Sequence, residues 1–236
     1  MMKILFRIYQ YCIAFPILII LTLITALLTI VGSLFSHQWW GYYPPRLWAR
    51  CWCWLLFIDV EVKNRELIDP NQAYVFIANH QGAFDIFTIY GFLNHNFKWL
   101  MKKSLQNIPL VGWACMAAGH VLVDRSSPSA IAKTMNTARE RLTRGMSLVI
   151  FPEGSRSNDG KIKPFKRGAF KLAIDFDRPL VPISIDGSYK VLRKKSLGIN
   201  PGKVILTIHH PINPKSADME SIIQTSFDAI KSSLPE

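Results

Sequence analysis

Apolar residues follow two regimes along this chain. Between Arg7 and Arg46 there is no Asp, Glu, Lys or Arg, and Ile13 to Phe35 (IAFPILIILTLITALLTIVGSLF) is almost wholly apolar. That run is 23 residues long, and about 20 suffice for a helix to cross the hydrocarbon core of a bilayer. From about residue 57 onward, short apolar runs alternate with helical stretches. Seven runs predict buried strands, being short and rich in β-branched residues: Phe57–Lys63, Ala73–Ala78, Phe97–Met101, Gly119–Val123, Ser147–Phe151, Leu180–Ile185 and Val204–His209. Pro128–Arg144 predicts a helix, with Ser127 as N-cap, Pro128 at the first turn and Gly145 just past the end. Further helices are expected over Phe84–Leu93, Lys166–Asp175 and Met219–Ser232. Strands alternating with helices predict an α/β fold with a mostly parallel sheet flanked by helices. The expected division is 1–58, hydrophobic helices that associate with a membrane, and 59–236, the α/β domain.

Three readings apply to the apolar segment. A cleaved signal peptide is disfavoured, because the run exceeds the usual ~7–15 residues and no A-x-A site follows. A spanning anchor and a helical hairpin dipping into one leaflet both remain. The aromatic stretch after it, with Trp39, Trp40, Tyr42, Tyr43, Pro44-Pro45 and then RLWARCWCWLLFI, supports the hairpin. Trp and Tyr favour the headgroup level, and Arg46 and Arg50 suit lipid phosphates. Trp48, Trp52 and Trp54 read equally well as core aromatics.

Composition sharpens this picture. The chain of 236 residues is 50% hydrophobic and only 19% charged, with mean hydropathy +0.17. Soluble domains carry roughly 25% charge, and general disorder is excluded. The formal net charge is +12. Residues 98–171 hold fourteen basic and four acidic residues, net +10, so an anion or an anionic surface is expected there. Four Cys residues make no disulfide framework, and Cys51 and Cys53 have no second pair to complete a zinc site.

The chemistry-bearing residues fall into four blocks. In IANHQGAFD a strand runs into Asn79-His80, and Asp85 follows five residues after the histidine. On one continuous helix that spacing is about 140° of rotation, so the pair meets only if Gly82 permits a turn and the carboxylate folds back. A carboxylate on one imidazole nitrogen fixes the tautomer and raises the basicity of the other. FPEGSRS follows the strand SLVIF; amides near Gly154, the hydroxyls of Ser155 and Ser157, and Arg156 suit a phosphate. Glu153 is out of place in a purely anion-binding loop; it either orients Arg156 or meets a substrate hydroxyl. KKSLQNIPLVG and GHVLVDR supply Lys102, Lys103 and Arg125. PFKRGAFKLA brings Lys166, Arg167 and Gly168 to a helix start. Against a surface turn or a solvated basic face, each block alone is weak. No G-x-S-x-G, Walker, G-x-G-x-x-G or H-E-x-x-H motif occurs. His37, His95 and His120 read as structural.

Taken in order (N-H-x-x-x-x-D, K-K-S-L with a later D-R, F-P-E-G-S-R-S, then Val181-Pro182-Ile183), the blocks resemble the glycerolipid acyltransferase family, most closely the bacterial 1-acyl-sn-glycerol-3-phosphate acyltransferases. The resemblance runs from about residue 74 to 187. Ser155 stands where Thr is commoner in the family, and Ser104 where Glu is frequent. The resemblance implies an α/β acyltransferase domain preceded by a membrane-embedding helical pair. It implies His80 as general base and Asp85 as its orienter, with Lys102, Arg125, Glu153, Gly154 and Arg156 holding the phosphate of lysophosphatidate; Ser155 and Lys166 stand beside them. The acyl donor implied is acyl-CoA or acyl-carrier protein, the product phosphatidic acid, and no metal or other cofactor is implied. The implied site of action is the cytoplasmic face of the inner membrane. Cytosolic donors favour the hairpin, which keeps Lys3, Arg7 and the basic segment on one side. Rival readings are the same chemistry on glycerol-3-phosphate, another lysophospholipid or an amino-acid lipid, and a non-catalytic binder of anionic lipid. A nucleic-acid partner is disfavoured, since the aromatics are not interleaved with Lys and Arg.

Overall fold

The computed structural model describes residues 2–124, 126–193, 196 and 198–235. A first helix, α1 (Met2–Tyr9), passes through one wide π-turn, Gln10–Ala14, into α2 (Phe15–Ser36). The widening precedes Pro16. A proline inside a helix removes a hydrogen bond and crowds the carbonyl four residues back, and an expanded turn absorbs both. The helical stretch Lys3–Ser36 is about 50 Å long at 1.5 Å per residue. Among the described residues it is the one helix long and apolar enough to cross a membrane. After the turn at residues 37–42, α3 (Tyr43–Leu55) packs on α2, with Trp48 Nε1 donating to Thr22 Oγ1 at 2.8 Å. At about 20 Å α3 is shorter than the hydrocarbon core. Its arginines serve the protein: Arg50 and Arg46 donate from Nε to the Gly91 carbonyl at 2.8 and 3.5 Å.

All seven expected strands form: β1 (Ile58–Lys63), β2 (Val75–Ala78), β3 (Phe97–Lys102), β4 (Val121–Val123), β5 (Ser147–Ile150), β6 (Leu180–Asp186) and β7 (Gly202–Ile208). They make one sheet in the order β1-β7-β6-β2-β5-β3-β4, parallel except where β7 runs against β6. Between the strands lie α4 (Phe84–Phe92), α5 (Val111–Ala117), α6 (Pro128–Thr143), α7 (Gly168–Asp175), the single turn α8 (Ser188–Val191) and the last helix α9 (Met219–Lys231). Ser127 caps α6 as expected, its Oγ accepting from Ala130 N–H at 3.1 Å.

Strand alternation divides the core. Tyr74, Phe76 and Ala78 face one layer; Val75 and Ile77 face the other. The first layer includes Ala14 and Leu18 from the N-terminal helix, Ala49 and Cys53 from α3, and Phe84, Ile89 and Leu93 at α4. The second is closed by Ala138 of α6, Phe170 and Leu172 of α7 and Ile222 of α9. The N-terminal helices therefore share an apolar cluster with the sheet. Trp48 and Trp52 pack on Phe87, whereas Trp54 is exposed.

Candidate active site

Parallel strands put all their carboxyl ends on one edge, the edge where α/β sheets bind ligands. β2 delivers Asn79-His80 there and its neighbour β5 delivers Phe151-Pro152-Glu153, while the next strand, β3, ends at Lys102. Three blocks far apart in sequence are thus brought to one rim.

Asn79 anchors the first block. Its side chain pairs with the backbone of Ile185 in both directions, at 2.8 and 2.9 Å. The chain then turns at Gly82, which lies so close to α8 that a Cβ would sit 2.8 Å from the Ser188 carbonyl oxygen. That turn starts α4 and returns Asp85 to the histidine: His80 Nδ1 lies 2.7 Å from Asp85 Oδ2. The His80 side chain is 14% exposed and that of Asp85 is 0% exposed. Asp85 Oδ2 also accepts from Gly82 N–H at 2.9 Å, and Oδ1 accepts from the Ser188 hydroxyl. The imidazole face stacks on Phe151, with centroids 3.9 Å apart and planes at 10°. With Nδ1 turned to the carboxylate, Nε2 has no hydrogen-bond partner among the described residues.

Glu153 is built into the framework. Its Oε1 accepts from His80 N–H at 2.8 Å and its Oε2 from Lys163 N–H at 3.2 Å, and it makes no ion pair with Arg156 among the described residues. Burial pushes its carboxyl up to about 7, against the pull of those two amides. Gly154 has φ +74°, a conformation that favours glycine, and Lys166 lies over it, its Nζ 3.0 Å from where a Cβ would stand. Ser155 Oγ and the Arg156 carbonyl both accept from Lys163 Nζ, at 3.2 and 2.7 Å. Arg156 is half-buried; Lys102, Ser155 and Lys166 are exposed. Lys103 pairs with Asp124 at 2.7 Å, and Arg167 with Glu220 at 3.2 Å. Arg125 lies outside the described residues.

Two contributors were not read from the sequence. Ser188 supports Asp85 from 103 residues away, and its one trace is the Asp186-Gly187-Ser188 turn after Val181-Pro182-Ile183. Lys163 clamps the FPEGSRS loop, a role that its place in a basic stretch does not reveal.

A histidine backed by a buried carboxylate thus stands on an α/β rim beside the loop that carries Arg156, an arrangement chemically suited to base catalysis next to an anion. A family model described as Acyltransferase matches residues 59–186, and the chain belongs to that family. It is 34% identical to a 1-acyl-sn-glycerol-3-phosphate acyltransferase of Chlamydomonas reinhardtii, over 82% of this chain and 58% of that one. It is also 34% identical to the chloroplastic enzyme of that name from Brassica napus, over 75% and 52%. The chain thus spans little more than half the length of these curated relatives. The crystal structure of the 1-acyl-sn-glycerophosphate (LPA) acyltransferase PlsC from Thermotoga maritima superposes with a TM-score of 0.82 at 27% identity, covering 98% of this chain and 93% of that one. The α/β fold with a mostly parallel sheet is shared with that protein.

Proposed function

We propose that the chain transfers a fatty acyl group from an acyl thioester to the 2-hydroxyl of 1-acyl-sn-glycerol 3-phosphate, giving phosphatidic acid. The observation that carries this reading is the 2.7 Å His80–Asp85 contact, with Nε2 left for substrate. Nε2 takes the hydroxyl proton as the glycerol oxygen bonds to the thioester carbonyl carbon. The C–S bond then breaks, and the imidazolium returns its proton to the departing thiolate. Asp85 holds the tautomer and stabilises the imidazolium. The thioester is already activated, so positioning plus base catalysis suffices without an acyl-enzyme. Arg156, Lys166 and Lys102, with the backbone at Gly154 and the hydroxyl of Ser155, form the phosphate subsite; Glu153 holds the loop that carries Gly154, Ser155 and Arg156.

The acceptor is an amphiphile, and the apolar helix suits a bilayer. Both of its ends are tied to the α/β domain. Arg7 donates to the Ile199 carbonyl at 2.7 Å and to Asn200 Oδ1 at 2.9 Å, while Lys98 Nζ donates to the His37 carbonyl at 3.0 Å. A helix crossing the bilayer would separate those ends, so we read it as lying in one leaflet, with the active-site rim at the headgroup level on the cytoplasmic side.

The test is a panel of acceptors given to the full chain in lipid with labelled acyl-CoA and acyl-carrier protein. Phosphatidate formed from lysophosphatidate, faster than product from glycerol-3-phosphate or other lysophospholipids, is the expected result. Preference for another acceptor would move the assignment within the family, and no transfer to any acceptor would overturn it.

A further inference from the structure

A second cationic cluster lies at the other end of the sheet, where the mechanism above uses nothing. Lys98 in β3 is 0% exposed, and the His37 carbonyl at the end of α2 is its one hydrogen-bond acceptor among the described residues. Beside it, the Arg141 guanidinium and the His37 ring each come within 3.5 Å of the point a Cβ on Gly119 would occupy. Arg141 Nε is buried and has no hydrogen-bond partner among the described residues. Burial, then Lys98, Arg141 and Arg144, push the His37 imidazole below its usual pKa; burial, then Lys98 and Arg141, drive His120 down to about 3. No carboxylate is among the charges that act on His37, Lys98 or His120.

Helix ends do not balance the charge. α2 and α6 both finish here, and each carboxyl end carries about −0.5 of a charge, roughly −1 against Lys98 and Arg141, with Arg144 set one helical turn from Glu140. The surplus of about +1 suits an anionic phosphate headgroup. The surroundings point to a lipid as its bearer. Leu34 and Phe35, in the last turn of α2, are 83% and 84% exposed, the most exposed large apolar side chains described. Trp39, just beyond them, is half-exposed and suits the headgroup level.

We propose that Lys98 and Arg141, with His37 packed beside them over Gly119, form a second anion site, which takes the phosphomonoester headgroup of a membrane lipid whose chains lie along Leu34 and Phe35. The site is separate from the Arg156 subsite and does not take part in acyl transfer.

The test counts bound ligand on the full chain by equilibrium dialysis, with a labelled short-chain lysophosphatidate as probe. Wild type is expected to hold two per chain, Arg141→Gln one and Arg156→Gln one. At the site remaining in Arg156→Gln, Arg141→Gln weakens binding about tenfold or more, the loss of one charge-assisted contact, while Arg141→Gln alone keeps acyl transfer near the wild-type rate. Lys98→Met serves as a second variant: it is expected to lose the same site and to melt no lower than wild type, because it removes a sparsely partnered buried ammonium. Undiminished binding in both Arg141→Gln and Lys98→Met would overturn the proposal. One site in wild type, lost in Arg156→Gln, would overturn it as well. Two sites in Arg156→Gln would instead count against the phosphate subsite at Arg156 and leave this one standing. Displacement of the probe from Arg156→Gln by inorganic phosphate at equal concentration would overturn the lipid as ligand.

Discussion

At the carboxyl end of β2 both oxygens of the Asp85 carboxylate are engaged, by His80, Gly82 and Ser188, whereas along the same rim Lys102, Ser155 and Lys166 stand in solvent. The first region is dry and over-determined. The second is a loop shaped by Gly154, Lys163 and Glu153 and fringed with long cationic side chains. On the proposed mechanism the difference follows from what each must do. Proton transfer requires one tautomer and one ring orientation, which burial and three hydrogen bonds enforce. Capture of a mobile lipid phosphate needs charge and reach more than fixed geometry, and cations in water avoid the cost of desolvation.

Breaking the dyad has the largest predicted effect. Asp85→Asn keeps the shape but presents an amide where His80 Nδ1–H and Gly82 N–H both need an acceptor. Its kcat is expected to fall about 10²–10⁴-fold, the range of a general base, with KM for the acceptor little changed. Arg156→Gln sharpens the contrast from the other side. Loss of a hydrogen bond to a charged group costs about 1.5–3 kcal/mol, so KM for the acceptor rises about 10–100-fold while kcat holds. Ser188→Ala removes one support of Asp85 and leaves the others. A fall in kcat of about tenfold is expected with unchanged KM, and a melting shift corresponding to about 1–3 kcal/mol for the unsatisfied buried carboxylate oxygen. An unchanged kcat would show that Gly82 alone holds Asp85 in place.

The smallest effect is one of pH, at the strut between the two regions. Glu153 has its carboxyl raised in the fold to about 7 from 4.5. Between those values the native state binds more protons than the unfolded chain, so the contribution of this group to stability is fullest below pH 4.5 and is lost as pH rises through 7. The loss is at most about 3 kcal/mol at 1.36 kcal/mol per pH unit. Glu153→Gln is expected to flatten that part of the profile in thermal melts between pH 5 and 8. An unchanged slope would place the titration elsewhere.

How far this was legible in the sequence differs between the same two regions. The strands could be read because short β-branched runs bounded by turns have few other uses, and α6 because Ser127, Pro128 and Gly145 mark its ends. The short helix α5 was missed: VGWACMA is too brief for a period to emerge. The His80–Asp85 contact was expected from the turn that Gly82 allows, and the geometry has it. The role of Glu153 was harder to see. Residue type suggested a ligand or a partner for Arg156, yet both oxygens serve backbone amides, and only the packing of β2 beside β5 brings those amides near. Ser188 was invisible for the same reason, since its bond to Asp85 depends on the crossing of β6 into α8. The tryptophans of α3, read two ways at first, separate residue by residue, because Trp48 and Trp52 face α4 and Trp54 does not.

The most direct test of the central claim is the rate of phosphatidate formation by His80→Ala beside wild type, in the same lipid, with labelled acyl thioester and lysophosphatidate at saturation. Loss of turnover by about 10²–10⁴-fold, in a variant that still melts cooperatively and still binds lysophosphatidate, is the predicted result. Turnover within a few fold of wild type would contradict it, and would remove His80 as the base.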